Sequence, residues 1–157
     1  MKKFSTTKGF MTVEIIMGLS IVTLSVLAFL NVAERSIRVA KQSTESTQAA
    51  FLLEEGAEVV RVLRDTDWNN IASLTAGTNY YPALSGSTWS LSTTPNSVGM
   101  FSRAVSFSPV ARESSTGDIS ATGANDPGTK LVSVTVSWSR GGEVLTKTLQ
   151  FYIMDIF

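Results

Sequence analysis

The chain reads as α+β: one very long N-terminal helix packed on a C-terminal antiparallel β-meander. Three observations lead there. From Phe10 to Thr66 there is no proline, and Gly18 and Gly56 are the only glycines. Past Trp68 the chain is broken up by turn formers such as Asn69, Asn70, Gly77, Pro82, Gly86, Pro95 and Gly99. The last third alternates with period two, setting Val132, Val134, Val136 and Trp138 against Ser133, Thr135, Ser137 and Ser139.

The first element is a membrane-length segment. Ile15 to Ala33 carries no charge over 19 residues, and about 20 mostly apolar helical residues span a hydrocarbon core. Ser20, Thr23, Ser25 and Asn31 dilute the run, but such side chains can bond back to a carbonyl one turn earlier. Gly18 permits close helix approach. At the edge of this segment stands one carboxylate, Glu14, in a costly place for a charge. A short basic stretch with Lys2, Lys3 and Lys8 precedes it and ends in Gly9-Phe10. An ordinary secretory signal has a shorter apolar core and a small-x-small cleavage site behind it, and Ala28 and Ala33 are not so spaced. Basic residues flank both ends of the span, Arg35, Arg38 and Lys41 among them, so they barely specify its orientation.

The helical pattern continues. Residues 34–48 are polar nearly all round, whereas Ala49, Leu52, Leu53, Ala57, Val59, Val60 and Leu63 form a broad apolar stripe suited to packing on a sheet. A helix from Phe10 to Thr66 would be about 85 Å long, far more than a small soluble domain needs. Glu58 and Arg61 are spaced for an i,i+3 pair. Trp68 closes the helix as an aromatic lid.

Strands follow. Trp89-Ser90-Leu91 is a short one, and Met100–Val110 alternates with Phe101, Arg103, Val105 and Phe107 on one face. Leu131–Ser139 and Val144–Met154 flank Arg140-Gly141-Gly142-Glu143, a hairpin signal. On the last strand Leu145, Leu149, Phe151 and Ile153 share a face that Lys147 interrupts. Residues 111–129 are mostly Ser, Thr, Gly, Ala and Asp and read as an exposed, mobile connector. Asp118, Asn125 and Asp126 are oxygen donors there, but their spacing matches no calcium-binding loop.

Composition excludes several functions. The 157 residues contain no cysteine and no histidine, so disulfides, thiol chemistry and imidazole catalysis have no carriers. There is no Gly-x-Ser-x-Gly and no phosphate-cradling loop. Asp65 and Asp67 sit where they cap or solvate a helix end. We expect no enzyme, no cofactor and no metal site. Formal charge balances at 13 basic and 13 acidic residues; without residues 1–9 it is 10 against 13. A mildly acidic body is not a nucleic-acid footprint.

Residues 8–14, Lys-Gly-Phe-Met-Thr-Val-Glu, with the apolar run behind them, resemble the processing site of type IV prepilins and of the related pseudopilins of type II secretion. The resemblance implies a leader at 1–9, cut between Gly9 and Phe10 by a membrane aspartyl peptidase that also methylates the new amine of Phe10. Glu14 then falls at the fifth mature position. It implies a transmembrane and assembly helix at 10–33 and a pilin-like head at 34–157 that includes the rest of the long helix. The implied partners are other pilin or pseudopilin subunits, the prepilin peptidase/methyltransferase, an inner-membrane assembly platform and membrane lipid. The implied location is the inner membrane with the head outside the cytoplasm, then a pilus or pseudopilus. Ala49–Trp68, with its Ala-rich turn, Glu54-Glu55-Gly56 and Arg61-x-x-Arg64-Asp65, resembles an element of minor prepilins and favours an accessory subunit. Many major pilins break the helix within the apolar segment. Leu19 to Glu55 has neither Pro nor Gly, so no melted stretch is expected. The alternative reading is a single-pass, membrane-anchored adhesion or binding module on an uncut span.

Overall fold

Helix α1 (Lys8–Thr66) runs without interruption for 59 residues. The computed structural model describes residues 8–156, with side chains from Met11 onward. Most of the expected leader therefore lies outside the described residues, as does the side chain of Phe10. The chain divides into two compact units, one through Glu45 and one from Ser46.

In the first unit α1 carries no charge on any side from Ile15 to Ala33. Every residue from Met11 to Val32 is exposed, Phe29 at 71%. The polar side chains turn inward to the backbone as expected. Ser20 Oγ donates to Ile16 O at 2.7 Å, Thr23 Oγ1 to Leu19 O at 2.8 Å, Ser25 Oγ to Ile21 O at 2.8 Å and Asn31 Nδ2 to Leu27 O at 3.0 Å. Each such bond spares a donor from facing an apolar medium alone.

In the second unit the end of α1 packs on an antiparallel sheet, so the fold is α+β as expected. A single-turn helix α2 (Asn69–Ala72) follows, then the hairpin β1 (Tyr81–Ser85) and β2 (Thr88–Ser92). The main sheet is β3 (Ser97–Val98), β4 (Phe101–Arg112), β5 (Ala124–Arg140) and β6 (Glu143–Met154), in the order β3-β4-β5-β6. Gly141 and Gly142 both have positive φ (59° and 87°), which a two-residue hairpin turn between right-twisted strands requires.

The predicted faces are the buried ones. Val132, Val134, Val136 and Trp138 of β5 and Phe101, Val105 and Phe107 of β4 meet Ala49, Leu53 and Val60 of α1 in one core. Phe101 tilts against Trp138 at 5.6 Å, and Tyr80 sets its edge on Phe107 at 6.1 Å. Leu149 departs from expectation. It is 36% exposed, because β6 is an edge strand that pairs only with β5. Lys147 interrupts the β6 face for a reason: its Nζ donates to Ser46 O at 3.2 Å and to Ser46 Oγ at 2.5 Å, tying β6 to α1.

Helix and sheet approach closely at Gly56. A Cβ there would stand 2.7 Å from Val134 Cγ1 and 3.3 Å from Arg103 Cδ. Arg103, on the apolar face of β4, is buried, and its Nη1 lies 2.7 Å from Glu55 Oε2. The Arg103 side chain is 3% exposed and that of Glu55 44%. Glu55-Gly56 thus gives β4 a counter-charge and β5 an approach surface within one step of chain.

The connector expectation fails in its second half. β5 begins at Ala124, not beyond 129, and the register jumps between Pro109↔Lys130 and Val110↔Asp126. Pro127, Gly128 and Thr129 are the extra residues of this irregularity. Their turn-like composition hid a strand that resumes on its far side.

Gly56→Ala is expected to destabilise the head by about 1 kcal/mol, the overpacking cost outweighing the gain in helix propensity. Denaturation of the full chain in detergent, followed by tryptophan fluorescence, measures it; a more stable variant would contradict the close approach. Glu55→Leu is expected to cost about 2 kcal/mol and Arg103→Leu only about 1 kcal/mol. The first strands a buried guanidinium, whereas the second leaves a carboxylate that water reaches. Equal losses in the same assay would refute that asymmetry.

Candidate functional site

Two places concentrate charge against its surroundings. The first is Glu14, the only carboxylate between Met11 and Ala33. It lies on the exposed surface of α1. One turn on, Gly18 has no side chain, and a Cβ there would meet nothing within 4 Å. Val13, Glu14, Met17 and Gly18 line a shallow notch in an otherwise apolar surface. By length and composition, α1 is the one helix among the described residues able to cross a membrane. A carboxylate within such a helix needs a cationic or hydrogen-bonding partner, or access to headgroups. Gly9 and Phe10 belong to the same helix by backbone, one turn or so before Glu14; the expected cleavage and methylation chemistry there concerns groups outside the described side chains.

The second place is the irregularity of β4–β5. Asp126 Oδ2 accepts from Arg112 Nε at 2.6 Å and from Thr129 Oγ1 at 2.6 Å, while Oδ1 accepts from Gly128 N at 2.9 Å. Arg112 also donates through Nη1 to Gly117 O at 2.9 Å and through Nη2 to Thr129 Oγ1 at 3.0 Å. Both Asp126 oxygens are therefore engaged, and the cation beside them is a guanidinium. The Thr129 hydroxyl, then Arg112, hold the Asp126 carboxyl below its usual value of 3.8. The knot pins the 113–123 connector at its base. Among the described residues no group of three or more His, Cys, Asp or Glu side chains converges as a metal site.

Of the two aspartates at the helix end, Asp67 caps and Asp65 stays exposed beside Arg64. Asp67 Oδ1 accepts from Asn69 N at 2.9 Å and from Asn69 Nδ2 at 3.0 Å, whereas Asp65 Oδ1 takes Arg64 Nε at 2.7 Å. Arg61 pairs with Glu58 and stands over the Phe151 ring at 5.4 Å.

Sequence reasoning missed the partnership of Glu55 with Arg103 and of Arg112 with Asp126. A signal for the first was present: an arginine on the apolar face of a strand needs a counter-charge from the element packed on that face. No such signal exists for the second, because 14 residues and a register jump separate the partners. No protein-family model, curated protein or solved structure matches this chain.

The Asp126 carboxyl binds its proton less readily in the folded chain than in the unfolded one. Between those two values the unfolded state holds more protons, so stability rises with pH. The knot's contribution is expected to be complete above about pH 4. It is lost as pH falls through the depressed folded value. Denaturation midpoints from pH 7 to pH 2 should show Asp126→Asn less stable than the parent at pH 7, with the gap narrowing in acid. A gap that stays constant over that range would overturn the assignment.

Proposed function

We propose that the chain is a minor type IV pilin or pseudopilin: a membrane-stored structural subunit, cut after Gly9 and assembled into a pilus or a secretion pseudopilus. The observation that carries this reading is Glu14, the lone carboxylate of an exposed, otherwise uncharged stretch of helix from Met11 to Val32. A carboxylate so placed gains most from a cation delivered at its own depth. The amine freed at Phe10 of a neighbouring subunit is such a cation. Pairing them across subunits would set the axial offset between neighbours, and removing one member of a buried pair typically costs about 3–5 kcal/mol. Two further features support the reading. The notch at Gly18 lets a second helix approach beside the carboxylate. The unbroken passage of α1 from an apolar segment into a sheet-packed one suits a subunit whose helix serves both membrane and head. Its place would be the inner membrane with the head outside the cytoplasm, then the filament. Its partners would be sibling subunits, the peptidase/methyltransferase, the assembly platform and lipid.

Mass spectrometry of the native chain is expected to find a mature N-terminus at Phe10 carrying one added methyl group. Retention of Met1 would overturn the reading in favour of an uncut anchored binding module. A bulky substitution at Gly9 should block the cut. Glu14→Leu should be processed normally yet fall by about tenfold or more in the sheared filament fraction. Undiminished incorporation would remove Glu14 from the mechanism.

A further inference from the structure

A cleft in the head belongs to neither of the charged sites. It encloses about 650 Å³ between the last turns of α1, α2 and the β1–β2 hairpin, within the common range for small-ligand sites of about 300–1,000 Å³. Of its 12 lining residues, one is Trp89, four are aliphatic and seven carry an amide or hydroxyl; none is Asp, Glu, Lys or Arg. Recognition there cannot run on charge.

Local structure prepares the polar groups. Asn70 Nδ2 donates to Leu63 O at 3.1 Å, and Asn69 Nδ2 donates to Asp67 Oδ1 at 3.0 Å. Those bonds fix each amide and leave each Oδ1 as an acceptor. The β1–β2 turn, with Gly86 at φ 63°, delivers Ser87 and Thr88 to the cleft. Alternation along β2 puts Trp89 and Leu91 on one face. An aromatic plane beside oriented amides and hydroxyls, without net charge, complements a ligand with apolar C–H faces and a rim of hydroxyls. Thr66, Ser73 and Ser90 already donate to the carbonyls of Val62, Asn69 and Ala83, but a purely apolar ligand would strip water from Asn69, Asn70, Ser87 and Thr88 without replacing its bonds. A charged one would find no counter-ion.

We infer that this cleft binds a neutral saccharide. A pyranose ring lies on Trp89, its hydroxyls donating to Asn69 Oδ1 and Asn70 Oδ1 and exchanging bonds with Ser87. The cleft is lined by none of the residues assigned to processing or assembly, so the inference does not rest on the proposed function.

The test titrates the full chain, in an amine-oxide detergent with no sugar headgroup, with chitotetraose, cellotetraose and maltotetraose. Calorimetry and tryptophan fluorescence read the binding. At least one saccharide is expected to bind with a Kd of about 1 mM or tighter. Trp89→Ala should weaken it by about tenfold or more, while Trp89→Phe retains most of the affinity. Ser87→Arg, at an exposed turn position, should block the mouth and abolish binding with the unfolding midpoint unchanged. Three results overturn the inference: no response to any of the three up to about 10 mM, undiminished binding by Ser87→Arg, or displacement of the sugar by a capped neutral Ser-Gly-Ala peptide.

Discussion

The head depends on how closely one turn of helix can approach one strand. At Gly56 the distance from α1 to Val134 is too short for any side chain. That approach lets Ala49, Leu53 and Val60 share a core with β4 and β5. It also brings Glu55 within 2.7 Å of Arg103. A larger residue at 56 would lift the helix away from the sheet, lengthening the ion pair and opening space around fully buried Val134 together. Close packing makes such changes cooperative, since interiors have little slack to absorb them. Lys147, reaching Ser46 from the far strand, fastens the same helix nearer the start of the head.

Much of this was legible in the sequence, for reasons that differ by element. The helix from residue 10 to 66 is a matter of absence: no proline, and glycines too few to stop it. The β5 face was legible because Val132, Val134, Val136 and Trp138 alternate with hydroxyls without a break, and all four are buried. The hairpin at Gly141-Gly142 follows from a backbone requirement that few other residues meet. The inward bonds of Ser20, Thr23 and Ser25 follow from helix geometry alone. Glu14 stood out because its neighbours are so uniform. Gly56 was noticed as one of two glycines in the helix and as part of a resemblance, not as a packing site; nothing local distinguishes a glycine that admits a strand from one that is merely tolerated.

What the sequence hid was long-range. Asp126-Pro127-Gly128 has the composition of a turn, yet it lies within β5. Only the pairing of Val110 with Asp126 reveals that it is a detour within a strand. The Arg112 contacts account for one of the connector's oxygen donors: Asp126 serves an arginine, as does the Gly117 carbonyl. Likewise, the cleft beside Trp89 is assembled from segments that touch only in the folded chain, so its neutral lining could not be read from any one of them.

The inward-turned hydroxyls of α1 carry one more implication. Their hydrogens are committed to carbonyls of the same helix, and the side chains around them are hydrocarbon. Two such surfaces laid together would be nearly indifferent to sliding or spinning, since dispersion forces vary little among similar alkyl contours. Glu14 breaks that indifference. It is a single tick on an otherwise unmarked ruler, and where it sits determines which alignments of two such helices can be told apart.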